Sequence, residues 1–305
     1  MKILITGGAG YVGTELIQAL SGNKNFELIV LDNLSRNNYN LFLGGNISSS
    51  SIKFIQGDIL DSRQLSKILH GVDIVIHLAA KVTTPYADSE LHQYEQINHW
   101  GTAELVYHVE KTNSVKKIIY LSSASVYGLG DNKKADESTE PTPTSHYGLS
   151  KLKGEKEVQL LSKSKEVQIL RCANVFGYSR SMRFDSVINR FMFDAHFKNR
   201  IRVYGDGAQL RPFIYINQLI NELKNNIISK KTRPIQNIYE FNFSLNEIIH
   251  EGILNLYPET EILYNTQDLP LKSLTLSSNV SPVTNDGGYK KFREYLKLFN
   301  EKFTF

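Results

Sequence analysis

Tyr147 and Lys151 lie four residues apart in HYGLSKLKGE, a spacing that puts both side chains on one face of a helix. Ser123 precedes them at the end of an apolar run in IIYLSSASVYG. A free tyrosine ionises near pH 10, so using it as a base at neutral pH means lowering it by about three units, or roughly 4 kcal/mol. An ammonium roughly 4 Å away supplies on the order of 4 kcal/mol at an effective dielectric of about 20, before desolvation. A serine hydroxyl bonded to the same reacting oxygen completes a set suited to drawing the proton from an alcohol while its carbon gives up hydride.

Such chemistry needs a hydride acceptor. Gly7, Gly10 and Gly13 follow an apolar strand and open a helix, in the spacing GxxGxxG. Glycine lets the backbone turn tightly and approach a pyrophosphate, whose charge then rests on free N–H groups at the positive helix end. Asp32 ends the second strand, where a carboxylate accepts from both hydroxyls of the adenosine ribose and repels a 2′-phosphate. NAD is therefore expected over NADP, with Arg36 nearby as the one residue softening that preference. Asp58, in QGDI, has two readings of equal weight: a holder of the adenine amino group, or a helix cap. Lys151 is also expected to hold the nicotinamide ribose, and the positive nicotinamide ring to help Tyr147 ionise.

The elements that must position these residues are legible as alternating β-branched runs and helical patterns. Strands are expected at Lys2–Thr6, Glu27–Leu31, Ile52–Ile55, Asp73–Leu78, Lys117–Leu121 and Val167–Leu170. Helices are expected near Val12–Leu20, Asp61–Leu69, His92–Glu110 and Ser145–Leu161. Six parallel strands with helices between them make an α/β, doubly wound Rossmann-type sheet whose carboxyl edge takes ligands. After about residue 175 the rhythm changes to shorter strands (Ile201–Tyr204, Phe213–Ile216, Asn237–Phe241, Glu261–Tyr264) with helices near Asp185–Phe197 and Tyr289–Leu298. This predicts residues 1–175 as the NAD-binding domain carrying the triad and 176–305 as a smaller α+β substrate lobe, closely packed and interleaved with it. No internal repeat is present, and the serine run Ser48–Ser51 is expected to be a short loop.

At 305 residues, with 41% hydrophobic and 22% charged, the chain has enough apolar material for a large core. A net charge of +4, with lysines alternating with glutamates, lacks the basic blocks of a nucleic-acid binder. A single cysteine, Cys172, forbids an intrachain disulfide and points to a reducing compartment, the cytoplasm. No export signal or membrane span is read in the chain. Eight histidines without HExxH or Cys/His pairing give no expected metal site.

Taken together, TGGAGYVG at Thr6–Gly13, LDN at Leu31–Asn33, GDI at Gly57–Ile59, HLAA at His77–Ala80, SSASVYG at Ser122–Gly128, YxxxK at Tyr147–Lys151 and RCANVFG at Arg171–Gly177 resemble the extended short-chain dehydrogenase/reductase family, particularly its nucleotide-sugar epimerases and dehydratases. By that resemblance Tyr11, Val12, Asn33, Ile59, Leu78, Ala79 and Ala80 join the glycines, Asp32 and Asp58 around the cofactor. Asn98 positions the loop after the fourth strand, and His77 is structural. The resemblance also implies that Asn174 and Ser123 touch the substrate, that Arg211 in YGDGAQLRPFIYI grips its diphosphate, and that the enzyme is a homodimer through the helices near His92–Glu110 and Ser145–Leu161.

Within that family, dehydratases place an Asp–Glu pair after the serine, whereas this chain has Ala124 and Ser125, the pattern of 4-epimerases similar to the UDP-galactose enzyme. The resemblance thus implies an NAD-dependent nucleotide-sugar 4-epimerase working through a transient 4-keto sugar. A dehydrogenase or 4-keto reductase on a similar sugar uses the same triad, and a non-catalytic NAD-sensing or scaffold protein is the third alternative. Arg180–Phe191 resembles a subgroup with varied sugars, and the late arginine that completes the diphosphate clamp of galactose epimerases has no counterpart here.

Overall fold

The computed structural model describes residues 1–43, 52–82, 91–130, 134–229, 233–265, 272–277 and 288–303. The run Ser48–Ser51 lies outside them. In chain order the first half comprises β1 (Lys2–Thr6), α1 (Tyr11–Ser21), β2 (Glu27–Asp32), β3 (Ile52–Gln56), α2 (Ser62–Ile68) and β4 (Ile74–His77). Next, α3 (Leu91–Gln93) runs through a π-helical stretch, Tyr94–Trp100, into α4 (Gly101–Lys111). Then come β5 (Lys117–Ser123), β6 (Lys134–Ala135), α5 (His146–Gln159), β7 (Glu166–Cys172), β8 (Asn174–Phe176) and α6 (Val187–Lys198). The remainder is β9 (Arg200–Tyr204), β10 (Leu210–Tyr215), α7 (Ile216–Ile228), β11 (Ile235–Ile238), β12 (Phe241–Ser244), α8 (Leu245–Glu251), β13 (Glu261–Asn265), β14 (Thr275–Leu276) and α9 (Tyr289–Asn300).

Alternate residues of the central strands feed opposite faces of the sheet, so both faces must be covered. Ile3 and Ile5 join the core on one side and Leu4 that on the other; Ile119 and Ile118 divide in the same way. The sheet that results is parallel throughout, in the order β11-β7-β5-β4-β1-β2-β3. Its order reverses between β1 and β4, and the carboxyl ends there form the crevice where such folds bind ligands.

The expected six strands are seven. The seventh, β11, comes from the second half of the chain and pairs with β7, Ile235 opposite Ile169. The single strand expected at Asn237–Phe241 is two: β11 joins the large sheet, while β12 pairs antiparallel with β10 in a small sheet ordered β12-β10-β8. Glu240 makes the break, its carboxylate accepting from the Tyr215 N–H at 3.0 Å and its own N–H donating to the Phe213 carbonyl at 2.8 Å. Two helices, α7 and α8, have no counterpart among the expected elements. The first starts directly from β10 without a side-chain cap, so its opening residue Ile216 reads as the end of the strand. No helix of the described residues is long and apolar enough to cross a membrane.

Candidate active site

The turn between β1 and α1 depends on its glycines. Gly7 has φ +70°, and a Cβ there would stand 2.6 Å from the Cα and N of Ala79, so the turn lies against the loop after β4. A Cβ on Gly13 would meet the Gly7 carbonyl at 2.5 Å and the Gly8 Cα at 2.6 Å. Helix α1 begins at Gly10 with no side-chain cap and no acidic residue in its first turn, leaving the amides of Tyr11, Val12 and Gly13 open to an anion. This cradle fits a dinucleotide pyrophosphate. The Tyr11 side chain takes no part, because its hydroxyl donates to the Gly177 carbonyl at 2.6 Å and accepts from Asn189 at 3.3 Å, and burial raises its pKa far above the ordinary value. Any phosphate contact from Tyr11 is through its main-chain N–H. The tyrosine instead ties the glycine turn to the second half of the chain, as does Thr14, 2.7 Å from Ser181 Oγ.

Asp32 stands at the end of β2, fixed by N–H groups of Ala9 (3.0 Å) and Leu34 (2.8 Å), one on each oxygen. Each carboxylate oxygen keeps a further lone pair for a ribose hydroxyl. Asp58 accepts from Asn33 Nδ2 at 2.8 Å and from the Leu60 N–H at 3.0 Å. It caps no helix, since Asp61 caps α2 by accepting from the Gln64 N–H. Ile59 is buried, its side chain packed where a Gly101 Cβ would stand. Arg36 is an exposed residue that feels Arg183 and Asp185, and desolvation followed by the Arg183 charge lowers its pKa.

Leu78, Ala79 and Ala80 follow β4, pinned by Leu78 N–H to the Thr6 carbonyl (3.1 Å) and Ala79 N–H to Thr6 Oγ1 (3.3 Å). His77 is fully buried between Thr6 (2.7 Å) and Thr102 (2.9 Å). Because Thr102 donates its one hydroxyl proton to the Asn98 carbonyl at 2.7 Å, it must accept from His77 Nε2. Burial, then the Lys151 charge, pushes His77 down to about 3, so it is neutral. Asn98, in the π-helical stretch, exchanges two hydrogen bonds with the Lys81 main chain (2.8 and 2.9 Å) and donates to Ser150 Oγ at 3.0 Å. It thereby ties the loop after β4 to α5.

Ser123 closes β5, and Tyr147 lies in the first turn of α5 behind the Ser145 cap, which brings the serine hydroxyl close enough to influence the phenol. Ser125 Oγ donates to Ser123 Oγ at 3.0 Å, and the edge of Tyr94 meets the Tyr147 ring at a centroid distance of 5.9 Å. Lys151, one turn along, is 2% exposed, with Nζ 4.1 Å from the centroid of Tyr120. Within the protein the Tyr147 phenol is not lowered as the spacing to Lys151 suggests. Burial raises it, and the cation that chiefly opposes this is Arg183, with the Ser123 hydroxyl next. Lys151 itself is pushed down to about 7, chiefly by burial. Arg183 is a residue that the sequence reading misses; its signal is the basic segment Arg180–Phe191, where it forms a two-point ion pair with Asp185 at 3.1 and 2.6 Å.

Asn174 and Arg211 lie on neighbouring strands, Asn174 opposite Phe213 and so two residues along from Arg211. Asn174 Nδ2 donates to the Pro212 carbonyl at 3.0 Å. Arg211 donates from Nη1 to the carbonyls of Leu210 (2.9 Å) and Lys272 (2.6 Å), with no ion pair to a carboxylate among the described residues, and burial lowers its pKa.

Comparison with known proteins identifies the family. The NAD dependent epimerase/dehydratase family profile matches residues 3–223. A Methanocaldococcus jannaschii protein with the provisional name UDP-glucose 4-epimerase is 32% identical over 82% of this chain and 83% of its own. The human dTDP-D-glucose 4,6-dehydratase is 30% identical over 85% of this chain and 75% of its own. The structure of UDP-glucuronic acid 4-epimerase from Bacillus cereus, in complex with UDP-glucuronic acid and NAD, superposes with a TM-score of 0.81 at 27% identity, covering 98% of this chain and 99% of that one. The open helix end, the carboxylate at the tip of β2 and the serine–tyrosine pair on the carboxyl edge thus stand in a match that spans well over half the chain, which belongs to the NAD dependent epimerase/dehydratase family and is an enzyme of the extended short-chain dehydrogenase type.

Proposed function

We propose that this enzyme is a nucleotide-sugar 4-epimerase. The reading is carried by the two residues immediately after Ser123: Ala124 is buried, and the Ser125 hydroxyl is engaged with Ser123, so neither offers the carboxyl groups that removal of water requires. NAD, held by the α1 amides and by Asp32, supplies the acceptor for the electron pair that leaves the sugar carbon. Tyr147 takes the proton of the 4-hydroxyl, Ser123 steadies the same oxygen, and the positive charges of Lys151 and Arg183 favour the tyrosinate. Once the 4-keto sugar had turned over, the electron pair would return to the opposite face of C4 and Tyr147 would give the proton back to the 4-oxygen. Asn174 and Arg211 hold the nucleoside diphosphate, a substrate class supported by the UDP-sugar in the Bacillus cereus structure.

The decisive experiment incubates the enzyme with UDP-, GDP-, CDP- and dTDP-sugars and follows products by mass spectrometry and NMR. Epimerisation yields a product of unchanged mass with an inverted C4 proton coupling. Loss of one water would mean a dehydratase, and conversion that consumes stoichiometric NAD a dehydrogenase.

Cofactor choice is a second test. A 2′-phosphate would be set against the Asp32 carboxylate, so NAD is expected to bind on the order of 10²-fold more tightly than NADP, a ratio that Asp32→Asn narrows. Equal binding of the two by the unaltered protein in calorimetric titration would remove Asp32 from the site. We further propose a homodimer through α4 and α5, where Tyr107 and Leu149 are exposed, with Trp100 just before α4 and Leu160 just after α5, and a cytoplasmic enzyme divided near residue 175. Light scattering that reads one chain's mass would exclude the dimer.

A further inference from the structure

Helix α5 carries a third ionisable group in line with Tyr147 and Lys151. Glu155 follows Lys151 by four residues and is the only buried acid among the described residues, 1% exposed. A carboxylate in such a place must be paired and hydrogen-bonded. Arg171 on β7 supplies the pair, Nε to Oε1 at 3.0 Å and Nη2 to Oε2 at 2.8 Å, and Ser122 Oγ donates to Oε1 at 2.5 Å. Arg171 is itself anchored, donating from Nη1 to the Tyr127 hydroxyl at 3.0 Å, which donates on to Asn237 at 2.8 Å. The carboxylate is therefore locked against β5 and β7, one helical turn from the buried ammonium.

We propose that Glu155 is a positioning residue that keeps Lys151 in its charged form and thereby supports proton transfer at Tyr147. This rests on the reading of Tyr147 and Lys151 as the working pair. The groups that act on Lys151 are Glu155, one turn along α5, Tyr120 from β5, His77 from β4 and Cys172 from β7, with Tyr147 one turn before it on α5 and Arg171 paired to Glu155 from β7. Burial holds both tyrosines and the thiol in their neutral forms, Cys172 at about 12, and His77 is neutral as well. Arg171 is a cation. Glu155 is thus the one negative charge available to a lysine with almost no contact with water. Burial drives the Lys151 ammonium down to about 7, and Glu155 is the strongest influence in the opposite direction. A purely structural ion pair would need only Arg171 and Glu155, whereas its placement one turn below Lys151 couples it to the charge at the site.

The test is direct titration of Lys151 in full-length protein labelled with [ε-¹³C]lysine, its NMR signal assigned by its loss in Lys151→Met. Glu155→Gln is expected to lower the midpoint by about one pH unit or more, and Glu155→Asp, which keeps the charge, to restore most of it. An unchanged midpoint in folded Glu155→Gln overturns the proposal. Should that variant fail to fold with Arg171 left buried and unpaired, Glu155→Gln/Arg171→Gln is compared with Arg171→Gln alone, below whose midpoint it must fall; equal midpoints again overturn the proposal. Because this readout needs no substrate, it is separable from the catalytic reading. Full activity of Tyr147→Phe would remove Tyr147 as base and leave the titration result standing, while an inactive Tyr147→Phe beside an unmoved Lys151 midpoint would defeat this inference alone.

Discussion

Replacing Tyr147 by phenylalanine is expected to lower turnover by about 10²- to 10⁴-fold while NAD still binds. The ring keeps its edge contact with Tyr94 and its place at the start of α5, so the fold has little reason to change. The proton acceptor disappears, and with it the hydroxyl that Ser123 influences. Ser123→Ala should cost less, since it removes one of the hydrogen bonds to the reacting oxygen and leaves the base. The measurement is steady-state turnover of whichever nucleotide sugar is converted, with calorimetric NAD binding alongside, and full turnover would show that another group is the base. The pH dependence has a definite sign. Tyr147, raised by burial above its ordinary value, becomes a better-populated base as pH rises, while Lys151, at about 7, loses its charge at lower pH than the tyrosine ionises. The rate should therefore climb through an acid limb and fall on an alkaline one, and Tyr147→Phe should abolish the acid limb.

Arg211→Ala is expected to weaken nucleotide-sugar binding by about 2–5 kcal/mol, with NAD affinity nearly unchanged. The guanidinium is half-buried and turned to two carbonyls through Nη1, with no carboxylate ion pair among the described residues, which is the observation behind its proposed role as a diphosphate holder. A planar fork makes paired hydrogen bonds to phosphate oxygens that lysine would not reproduce. Binding energy from this remote group would orient the sugar carbon for transfer. Loss of the contacts to Leu210 and Lys272 should cost only about 1 kcal/mol each in stability, so a thermal midpoint measured beside the calorimetry separates the two effects. Unaltered affinity for the converted sugar nucleotide would make Arg211 a strand residue and nothing more.

Much of the nucleotide half is legible in the sequence because its signals are local. The turn after β1 requires glycine within a few residues of an apolar run, and the helical spacing of Tyr147 and Lys151 puts them on one face whatever surrounds them. All six strands expected in that half lie within two residues of their observed ends for the same reason: buried parallel strands are short β-branched runs bounded by turns. The types of the reacting groups, the carboxylate at the tip of β2 and the missing carboxyls after Ser123 are likewise written in the residues.

Contacts between residues far apart in the chain are decided only by the tertiary structure. Periodicity near residue 237 cannot say that one half of an apolar run completes the large sheet while the other half turns into a second one, because that choice is made by β7 and β10. The Tyr11 hydroxyl belongs to Gly177 and Asn189, more than 160 residues away, and so is lost to the phosphate. The electrostatics depart furthest from expectation. Sequence spacing makes Lys151 the cation that lowers Tyr147, yet burial, which no spacing encodes, raises the phenol, weakens the lysine's own hold on its proton, and leaves Arg183 and Glu155, from other parts of the fold or another turn of the helix, to balance the charges.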